Sequence, residues 1–410
     1  MEFTAGLVWL LVASAFVLFM TPGLAFFYGG MTRAKAALNM MMMSFIAIGT
    51  VAIVWVLWGA SMSTSNKDNF FQMFANPFSH FGLHNFTEPA DLLKVGYAAT
   101  FAIITVALIS GAIADRAKFS AWTLFTPIWA TLVYAPMAYM VWGGGLFSAD
   151  GWFGKTFAPV IDFAGGTVVH INAGVAGLVG AYMVGKRVGY GKEAFTPHSL
   201  TLTMVGASLL WVGWFGFNAG SAGAANAVAG LAFVNTVLAT AAAALSWILG
   251  ESLHKGKASM LGAASGAVAG LVAVTPAAGF VGPMGSIVLG LLAGLICLWG
   301  VGGLKRMLGA DDAFDVFGVH GVGGILGAIL TGVFAAKGLG GTGGATPDTF
   351  AMGAQVWIQI KSVLLTIVWS GVVAFIAYKI ADLTLGLRVS EEEEREGLDI
   401  SSHGETAYNR

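Results

Sequence analysis

Charged side chains are scarce in this chain of 410 residues, since Asp, Glu, Lys and Arg make up 10% of it, against about 25% in soluble domains. The single cysteine, Cys297, excludes an internal disulfide framework and a CxxC-type metal site. The formal net charge of −1 gives no excess of basic residues for nucleic acid. Hydrophobic residues make up 57% of the chain, and apolar runs of about 18 residues or more recur along it. The composition therefore predicts a polytopic membrane protein.

The apolar runs predict an all-α fold of eleven membrane-spanning helices. Met1 to Ala5 lacks the basic segment of a signal peptide, so the first run is expected to be a retained helix. The last span exceeds one perpendicular crossing of about 30 Å, which predicts a strong tilt or a projection from the bilayer. We expect a transmembrane domain at 1–384 and a tail at 385–410. The spans lie near residues 6–30, 38–62, 95–114, 119–145, 162–184, 199–219, 226–250, 259–278, 282–304, 315–335 and 351–384.

The basic residues predict the orientation of the spans. Of the twenty Lys and Arg residues, fifteen fall on one side of the predicted membrane and one, Lys361, lies within the last span. The other side holds four: Lys67, Lys94, Lys155 and Lys337. Because cytoplasmic connections carry the excess of Lys and Arg, the N-terminus is expected outside and the tail in the cytoplasm.

A short internal repeat links the fifth and tenth spans. "HINAGVAG" from His170 and "HGVGGILG" from His320 share the pattern His-x3-Gly-x2-Gly. An offset of five spans makes the two copies run in opposite directions, as in transporters built from inverted repeats. We therefore expect five-helix repeats at about 6–184 and 199–335. The flanking Asp162 and Asp315 do not align when the histidines do.

Ionisable groups within spans are costly and few, which makes Asp162, His170 and His320 functional candidates. For Asp162 the alternative is a helix N-cap that accepts backbone N–H bonds. For the histidines it is a pair of buried neutral imidazoles that tie two helices together. The glycine at i+4 from each histidine, Gly174 and Gly324, allows a second helix to pack closely, which favours a shared site in a pore.

Aromatic residues are ambiguous by themselves. Trp142 ends the fourth span, where an interfacial aromatic belt is the ordinary explanation. Phe101, Trp214 and Phe217 lie within spans, where aromatic side chains are usually core. Ser221 follows the sixth span on the same side as Trp142 and is not distinctive by itself.

The motifs of enzymes are missing from the sequence. It holds no P-loop, HExxH or GxSxG. "VGYG" (188–191) occurs once, in a predicted cytoplasmic loop, and "GLGGTG" (338–343) has no strand before it as a dinucleotide site requires. We expect neither an enzyme nor a bound cofactor or metal.

Several longer motifs together resemble the Amt/Mep/Rh ammonium transporters, on the bacterial Amt branch. The resemblance implies a homotrimer in the bacterial inner membrane, each subunit having eleven helices and its own narrow pore between inverted repeats. It runs in order from the first span to the tail. The motifs are "TPGLAFFYGGMTRAKAALNM" (21–40), "WGGG" (142–145), "DFAGGTVVHINAG" (162–174), "WFGFNAGSAG" (214–223), "DVFGVHG" (315–321) and "ADLTLGLRVSEEEEREGLDISSHGE" (381–405).

The resemblance also implies roles for individual residues. Trp142, Phe101 and Ser221 would form the outer recruitment site for ammonium, with Asp162 supporting it. Phe101 and Phe217 would stack as a gate below that site. His170 and His320 would be twin pore histidines and a proton relay. The implied pore wall also includes Tyr97 and Trp214, whereas Ala98 stands where some relatives carry a polar amide.

Regulation and alternative functions complete the expectations. The acidic run at 391–396 is typical of a solvated, disordered segment, although in the family such a tail packs on the cytoplasmic face, where a trimeric PII signal protein plugs the pore exits. One alternative is an ammonium sensor with a cytoplasmic signalling partner. Another is a channel for neutral ammonia of the Rh kind. The tail is too short for an independent domain, which favours transport over sensing. The sequence leaves open whether methylammonium is also a substrate.

Overall fold

The computed structural model describes residues 4–64 and 68–408. Lys67 and Arg410 from the charge count, and the first three residues, lie outside the described residues. Within the described ranges eleven long or apolar helices pack side by side. Ten of them are long and apolar enough to cross a membrane, and the eleventh, at Met260–Val274, is a shorter apolar helix. The predicted all-α, multi-pass fold is confirmed.

We number these helices in chain order. They are α1 (Ala5–Met31), α2 (Ala34–Ser63), α3 (Pro89–Ile113), α4 (Phe119–Val141), α5 (Gly166–Val184), α6 (Leu200–Ala222), α7 (Ala227–Lys255), α8 (Met260–Val274), α9 (Pro283–Leu308), α10 (Phe317–Phe334) and α11 (Met352–Leu385). Two short helices, α12 (Glu391–Glu396) and α13 (Leu398–His403), form the tail. Because successive helices reverse direction, their connections fall on two faces.

The face that carries the tail is called the tail face, and the opposite one the loop face. The loop face holds the two longest connections. One contains a hairpin of β1 (Asn69–Phe70) and β2 (Phe74–Ala75), which pair antiparallel. The other joins α4 to α5 and contains a short helix at Trp152–Thr156.

Several predicted helix boundaries were wrong by four residues or more, and two of them bear on the site. The third span begins at Pro89 instead of 95, since a proline in the first turn starts the helix and Asp91 pairs with Lys94 at 3.1 Å on its exposed surface. The fifth span begins at Gly166 instead of 162. We call the preceding residues 157–165 the strap. The strap is irregular because its polar groups bond to other elements and not to a helical turn.

The histidines occupy matching places in two antiparallel helices. The helix α5 starts at the loop face and α10 at the tail face. Each begins with a π-helical turn, at Gly166–Ile171 and Phe317–Gly321, and each turn contains the histidine. Turns of this kind often mark functional sites.

The aspartate of the second repeat that corresponds to Asp162 is Asp312, and not Asp315. Asp162 and Asp312 each lie eight residues before a histidine. Asp312 accepts hydrogen bonds from the backbone N–H groups of Val316 and Phe317 at 3.0 and 2.7 Å. Asp315 instead pairs with Lys305 at 2.7 Å. The repeat therefore includes the carboxylate that caps each histidine helix.

The two histidine helices cross at glycines. A Cβ added to Gly174 would lie 2.6 Å from the Cα of Gly321, and one added to Gly324 would lie 3.1 Å from the Cβ of His170. Real Cβ atoms do not come as close as the first contact, so only glycine permits it at Gly174, and the second contact is tighter than most, so a side chain at Gly324 would need its neighbours to shift. The crossing holds the histidine-bearing turns against each other.

The acidic tail is an ordered helix that packs on the tail face, which overturns the expectation of a disordered run. Ser390 and Glu393 form a capping box at the start of α12. Glu394, which is 1% exposed, accepts hydrogen bonds from the Val188 N–H and the Arg388 guanidinium, both at 2.7 Å. The buried, paired carboxylate fixes the helix in place.

Candidate functional site

Two cavities and a small void lie along the middle of the bundle. A cavity of about 520 Å³ opens on the loop face, and one of about 540 Å³ opens on the tail face. We call them the loop-face and tail-face vestibules. Between them a void of about 10 Å³ is lined by apolar side chains and both histidines. A space of that size holds about one small molecule.

Aromatic rings form the floor of the loop-face vestibule. Phe101 and Phe217 are stacked with their ring centroids 4.1 Å apart and their planes at 15°. Trp142 stands edge-on to Phe101 at 6.2 Å and 90°. Trp142 is 41% exposed, whereas Phe101 is 4% and Phe217 is 1% exposed. The stacked pair therefore closes the path, and Trp142 borders the open space above it.

A cluster of oxygen atoms lies beside these rings. The Ser221 hydroxyl donates to the Phe217 carbonyl at 2.8 Å, and the Tyr97 hydroxyl lies 3.2 Å from Ser221 Oγ. Tyr97 also lies 3.0 Å from the Gly216 carbonyl oxygen. Since the Ser221 proton is directed to a carbonyl, its lone pairs are available to accept a hydrogen bond from a ligand in the vestibule. Ala98 lines the same cavity and provides no polar side chain there.

Asp162 lies behind this site as a helix cap. Its carboxylate accepts hydrogen bonds from the N–H groups of Gly165 at 2.8 Å and Gly166 at 2.6 Å, and from the Thr167 N–H and hydroxyl. Its backbone carbonyl accepts from the Trp142 indole at 2.8 Å. With both carboxylate oxygens bonded to α5, Asp162 contributes to the site by holding the indole and the start of the histidine helix.

The two histidines face each other in the void. His170 Nδ1 lies 3.2 Å from His320 Nδ1, and the rings are nearly parallel, at 17°. They are 1% and 4% exposed. His170 Nε2 has no hydrogen-bond partner among the described residues. A buried polar atom without a partner is costly, so this nitrogen is an open position for a small polar ligand.

The shared hydrogen bond sets the tautomers of the neutral pair. The ring that donates through Nδ1 carries no proton on Nε2, and the ring that accepts through Nδ1 must carry its proton on Nε2. The pair therefore offers one acceptor and one donor at its two Nε2 atoms. The two roles are exchanged when the bare Nε2 gains a proton, a proton moves along the Nδ1 contact, and the other Nε2 loses its proton.

Trp214 forms the wall on which His170 rests. The two rings stack with centroids 5.3 Å apart and planes at 13°. The Trp214 indole donates to the Thr275 hydroxyl at 2.8 Å, which fixes the plane of the ring. The stacking in turn fixes the orientation of the imidazole.

The structure thus brings the predicted residues into one path. Tyr97, Phe101, Trp142 and Ser221 line the loop-face vestibule, and Trp214, Phe217, His170 and His320 line the void. Asp162 lines neither and acts through Trp142 and α5. Asp312 is a further functional residue that was not among the predicted ones, although it lies eight residues before His320, as Asp162 lies before His170. Gln359 of α11 was not among them either, and the sequence holds no signal for it.

Comparison with known proteins gives a consistent set of relatives. A family model described as the Ammonium Transporter Family matches residues 8–408. An ammonium transporter of Aquifex aeolicus is 48% identical over 413 residues, which cover 99% of this chain and 94% of the relative. An ammonium transporter of Bacillus subtilis is 46% identical, with coverage of 100% and 97%.

Solved structures give the same result for the fold. A protein described as a sensor Amt protein superimposes with a TM-score of 0.88 at 26% identity and covers 97% of this chain and 98% of its own. Mep2 of Saccharomyces cerevisiae superimposes with a TM-score of 0.83 at 33% identity, with coverage of 95% and 88%.

Proposed function

The chain belongs to the ammonium transporter family, and on that premise we propose that it moves ammonium across a membrane as separated ammonia and proton. The observation that carries the proposal is the histidine pair, which has an unpartnered Nε2 in an apolar void between two vestibules. The cation is recruited in the loop-face vestibule and gives its proton to water there, and ammonia passes the stacked phenylalanines. The proton passes separately from water to His170 Nε2.

Recruitment uses aromatic faces and a neutral oxygen instead of a fixed anion. A cation over an aromatic ring gains about 0.5 to 2 kcal/mol, and Trp142 and Phe101 border the vestibule. Ser221 Oγ accepts a hydrogen bond from one ammonium N–H. Both carboxylate oxygens of Asp162 accept hydrogen bonds from the start of α5. This residue therefore presents no free carboxylate that would also retain sodium.

Energetics favour deprotonation before passage. Placing a charged side chain at the centre of a bilayer costs about 10 to 17 kcal/mol in simulations. Ammonium has an aqueous pKa of about 9, so its deprotonation at pH 7 costs about 3 kcal/mol at 1.36 kcal/mol per unit. Potassium is similar in size but has no proton to lose. The same barrier therefore admits ammonia and rejects potassium.

The histidines serve the neutral molecule and the proton differently. Ammonia both donates and accepts hydrogen bonds, and the pair offers one donor and one acceptor at Nε2. The Nδ1 contact of 3.2 Å gives the released proton a route between the rings. Net charge then crosses with each ammonia, although the two species travel separately.

The surroundings of the transporter follow from the charge distribution and the family. We propose that the loop face lies outside and the tail face in the cytoplasm of a bacterial inner membrane, and that the protein is a homotrimer. The ordered tail and the loop at 185–195 form a surface for a trimeric PII signal protein. The division into 1–384 and a regulatory tail at 385–410 is part of the same proposal, as is the absence of enzymatic activity.

A second candidate function is ammonium sensing. The similarity to a sensor Amt protein over 97% of the chain favours it, because the same vestibule would then report occupancy to a cytoplasmic partner. A sensor of this kind would bind ammonium with little flux. A third candidate, the Rh-like gas channel, would conduct ammonia without current.

Current measurements on proteoliposomes of the purified protein separate the three functions. We expect a transient inward current on addition of ammonium and none with potassium or sodium. Internal alkalinisation without current would identify a neutral gas channel and contradict the proton route. Binding of ammonium with neither current nor alkalinisation beyond protein-free liposomes would identify a sensor.

A further inference from the structure

The strap that carries Asp162 is held by α11, a helix outside both repeats. Gln359 of α11 is fully buried. Its Oε1 accepts a hydrogen bond from the Ile161 N–H at 2.9 Å, and its Nε2 donates to the Ile161 carbonyl at 2.7 Å. The same Nε2 donates to the Ala328 carbonyl of α10 at 2.8 Å. The Gln359 amide thus bonds to both backbone groups of Ile161 and connects this residue to α10.

The gripped residue is next to the one that holds the tryptophan. Ile161 precedes Asp162, whose carbonyl accepts the Trp142 indole N–H at 2.8 Å. Neighbouring contacts support the same segment. Gln355 Nε2 donates to the Pro159 carbonyl at 3.0 Å, and Lys361 Nζ lies 3.2 Å from the centre of the Phe157 ring. Two adjacent strap residues, Ile161 and Asp162, therefore connect α11 to Trp142.

The opposite repeat has a matching contact. Ile161 lies nine residues before His170, and Asp311 lies nine residues before His320. The Asp311 carbonyl accepts a hydrogen bond from the buried Arg116 guanidinium at 2.6 Å. In each repeat a side chain from another element thus grips the peptide at the same distance from the histidine. The same backbone position is thus bonded in both repeats, by a glutamine in one and by an arginine in the other. Such a repetition argues against an incidental contact.

From these contacts we infer that Gln359 is a positioning residue for ammonium recruitment, acting on Trp142 through the Ile161–Asp162 peptide. The inference rests on the proposed function, which makes Trp142 part of the recruitment site. The glycine contacts of Gly174 and Gly324 hold the α5–α10 crossing independently. Loss of the amide therefore weakens recruitment and leaves the gate and the histidine pair working.

The test is a double-mutant cycle on ammonium-evoked current in proteoliposomes. The variants are Gln359→Met, Trp142→Leu and their combination. Gln359→Met is expected to raise the apparent KM for ammonium about tenfold, the equivalent of about 1.4 kcal/mol, with the maximal current within about twofold. In the Trp142→Leu background the same change should alter KM by less than about twofold, because the residue it acts through is gone.

Thr366→Val is the matched control, since Thr366 is a buried polar residue of α11 whose hydroxyl donates to the Ser362 carbonyl of its own helix and has no other side-chain hydrogen bond to the described residues. It should leave KM and maximal current unchanged. If Gln359→Met does not reach the membrane, Gln359→Asn, which keeps a shortened amide, takes its place, and failure of both variants to fold would overturn the inference in favour of a purely structural role.

Other results would also overturn the inference. These are an unchanged KM, a fall in maximal current as large as the rise in KM, or a rise in KM by the same factor with and without Trp142. An unmodified protein that gives no ammonium-dependent current or alkalinisation in these liposomes would instead contradict the proposed function. The two failures are therefore distinguishable.

Discussion

At the scale of single residues, the path alternates between groups that accept a cation and groups that cannot. Ser221 offers a lone pair, and Trp142 and the vestibule side of Phe101 offer π-faces. Below the stacked Phe101 and Phe217, whose centroids are 4.1 Å apart, the void is lined by apolar side chains and the two neutral histidines. A charge that moves from the first environment to the second loses its solvation without compensation. The proton is therefore expected to separate at this boundary.

Ser221→Ala is expected to weaken recruitment without changing passage. A hydrogen bond to a charged group contributes about 1.5 to 3 kcal/mol, so the apparent KM for ammonium should rise about tenfold or more while the maximal current stays similar. Current titrations on proteoliposomes check this. Ser208→Ala is the control, because Ser208 lies on the same helix and bonds to the Met204 carbonyl within it. An unchanged KM would show that Ser221 does not contact the cation.

His170→Asp is expected to abolish ion selectivity. A carboxylate in the void stabilises an intact cation and cannot share a proton as an imidazole pair does. Potassium should then carry current that the unmodified protein excludes. His84→Asp, at an exposed loop residue, is the control. A folded His170→Asp variant with unchanged current and selectivity would rule out the proton relay.

At the scale of elements, the decisive feature is the crossing of α5 and α10. Each helix begins with a π-helical turn that carries a histidine, and glycines allow the two backbones to approach. The π-turns widen the helix locally and direct the imidazoles to each other. The caps Asp162 and Asp312 fix where each turn begins.

Gly174→Ala should displace this crossing. The added methyl group would lie 2.6 Å from the Gly321 Cα, and overpacking of this kind costs about 1 to 3 kcal/mol. We expect a lower melting temperature and about a tenfold loss of ammonium current, because the histidine rings move apart. Gly230→Ala is the control, since among the described residues no atom outside its own helix backbone and chain neighbours lies within 4 Å of its added Cβ. Normal current from Gly174→Ala would show that the ring separation is not critical.

At the scale of the whole molecule, the two vestibules are of similar size, about 520 and 540 Å³, but differ in the residues that line them. The loop-face vestibule carries the aromatic site. The tail-face vestibule is bordered by ionisable residues that include Glu251, Lys255 and Arg306. This asymmetry on a pseudo-symmetric scaffold gives the path a recruiting end, and the orientation decides whether that end faces the outside.

Labelling of introduced cysteines tests the orientation. In intact cells a membrane-impermeant maleimide should label Lys155→Cys on the loop face, and should label Glu405→Cys in the tail only after lysis, because the proposed topology places the tail in the cytoplasm. The unmodified chain is the control, since Cys297 is fully buried. The reverse pattern would invert the proposed topology.

The sequence by itself determined the membrane class, the eleven spans and the family. These properties follow from local composition and from motifs that stay in order along the chain, and each was confirmed by the structure or by the relatives. Bilayer thickness sets the span length, so long apolar runs leave little freedom. The histidines, the glycines at i+4 and the aromatic residues could likewise be named as candidates from their type and spacing.

The tertiary structure alone decided how these residues meet. The contact of Gln359 with Ile161 and the order of the acidic tail depend on contacts between segments far apart in the chain, and local patterns carry no information about them. Glu394 illustrates the reason. A run of acidic residues is ordinarily solvated, but burial against Arg388 and the Val188 N–H reverses that preference, because a paired carboxylate is stable where an unpaired one is not.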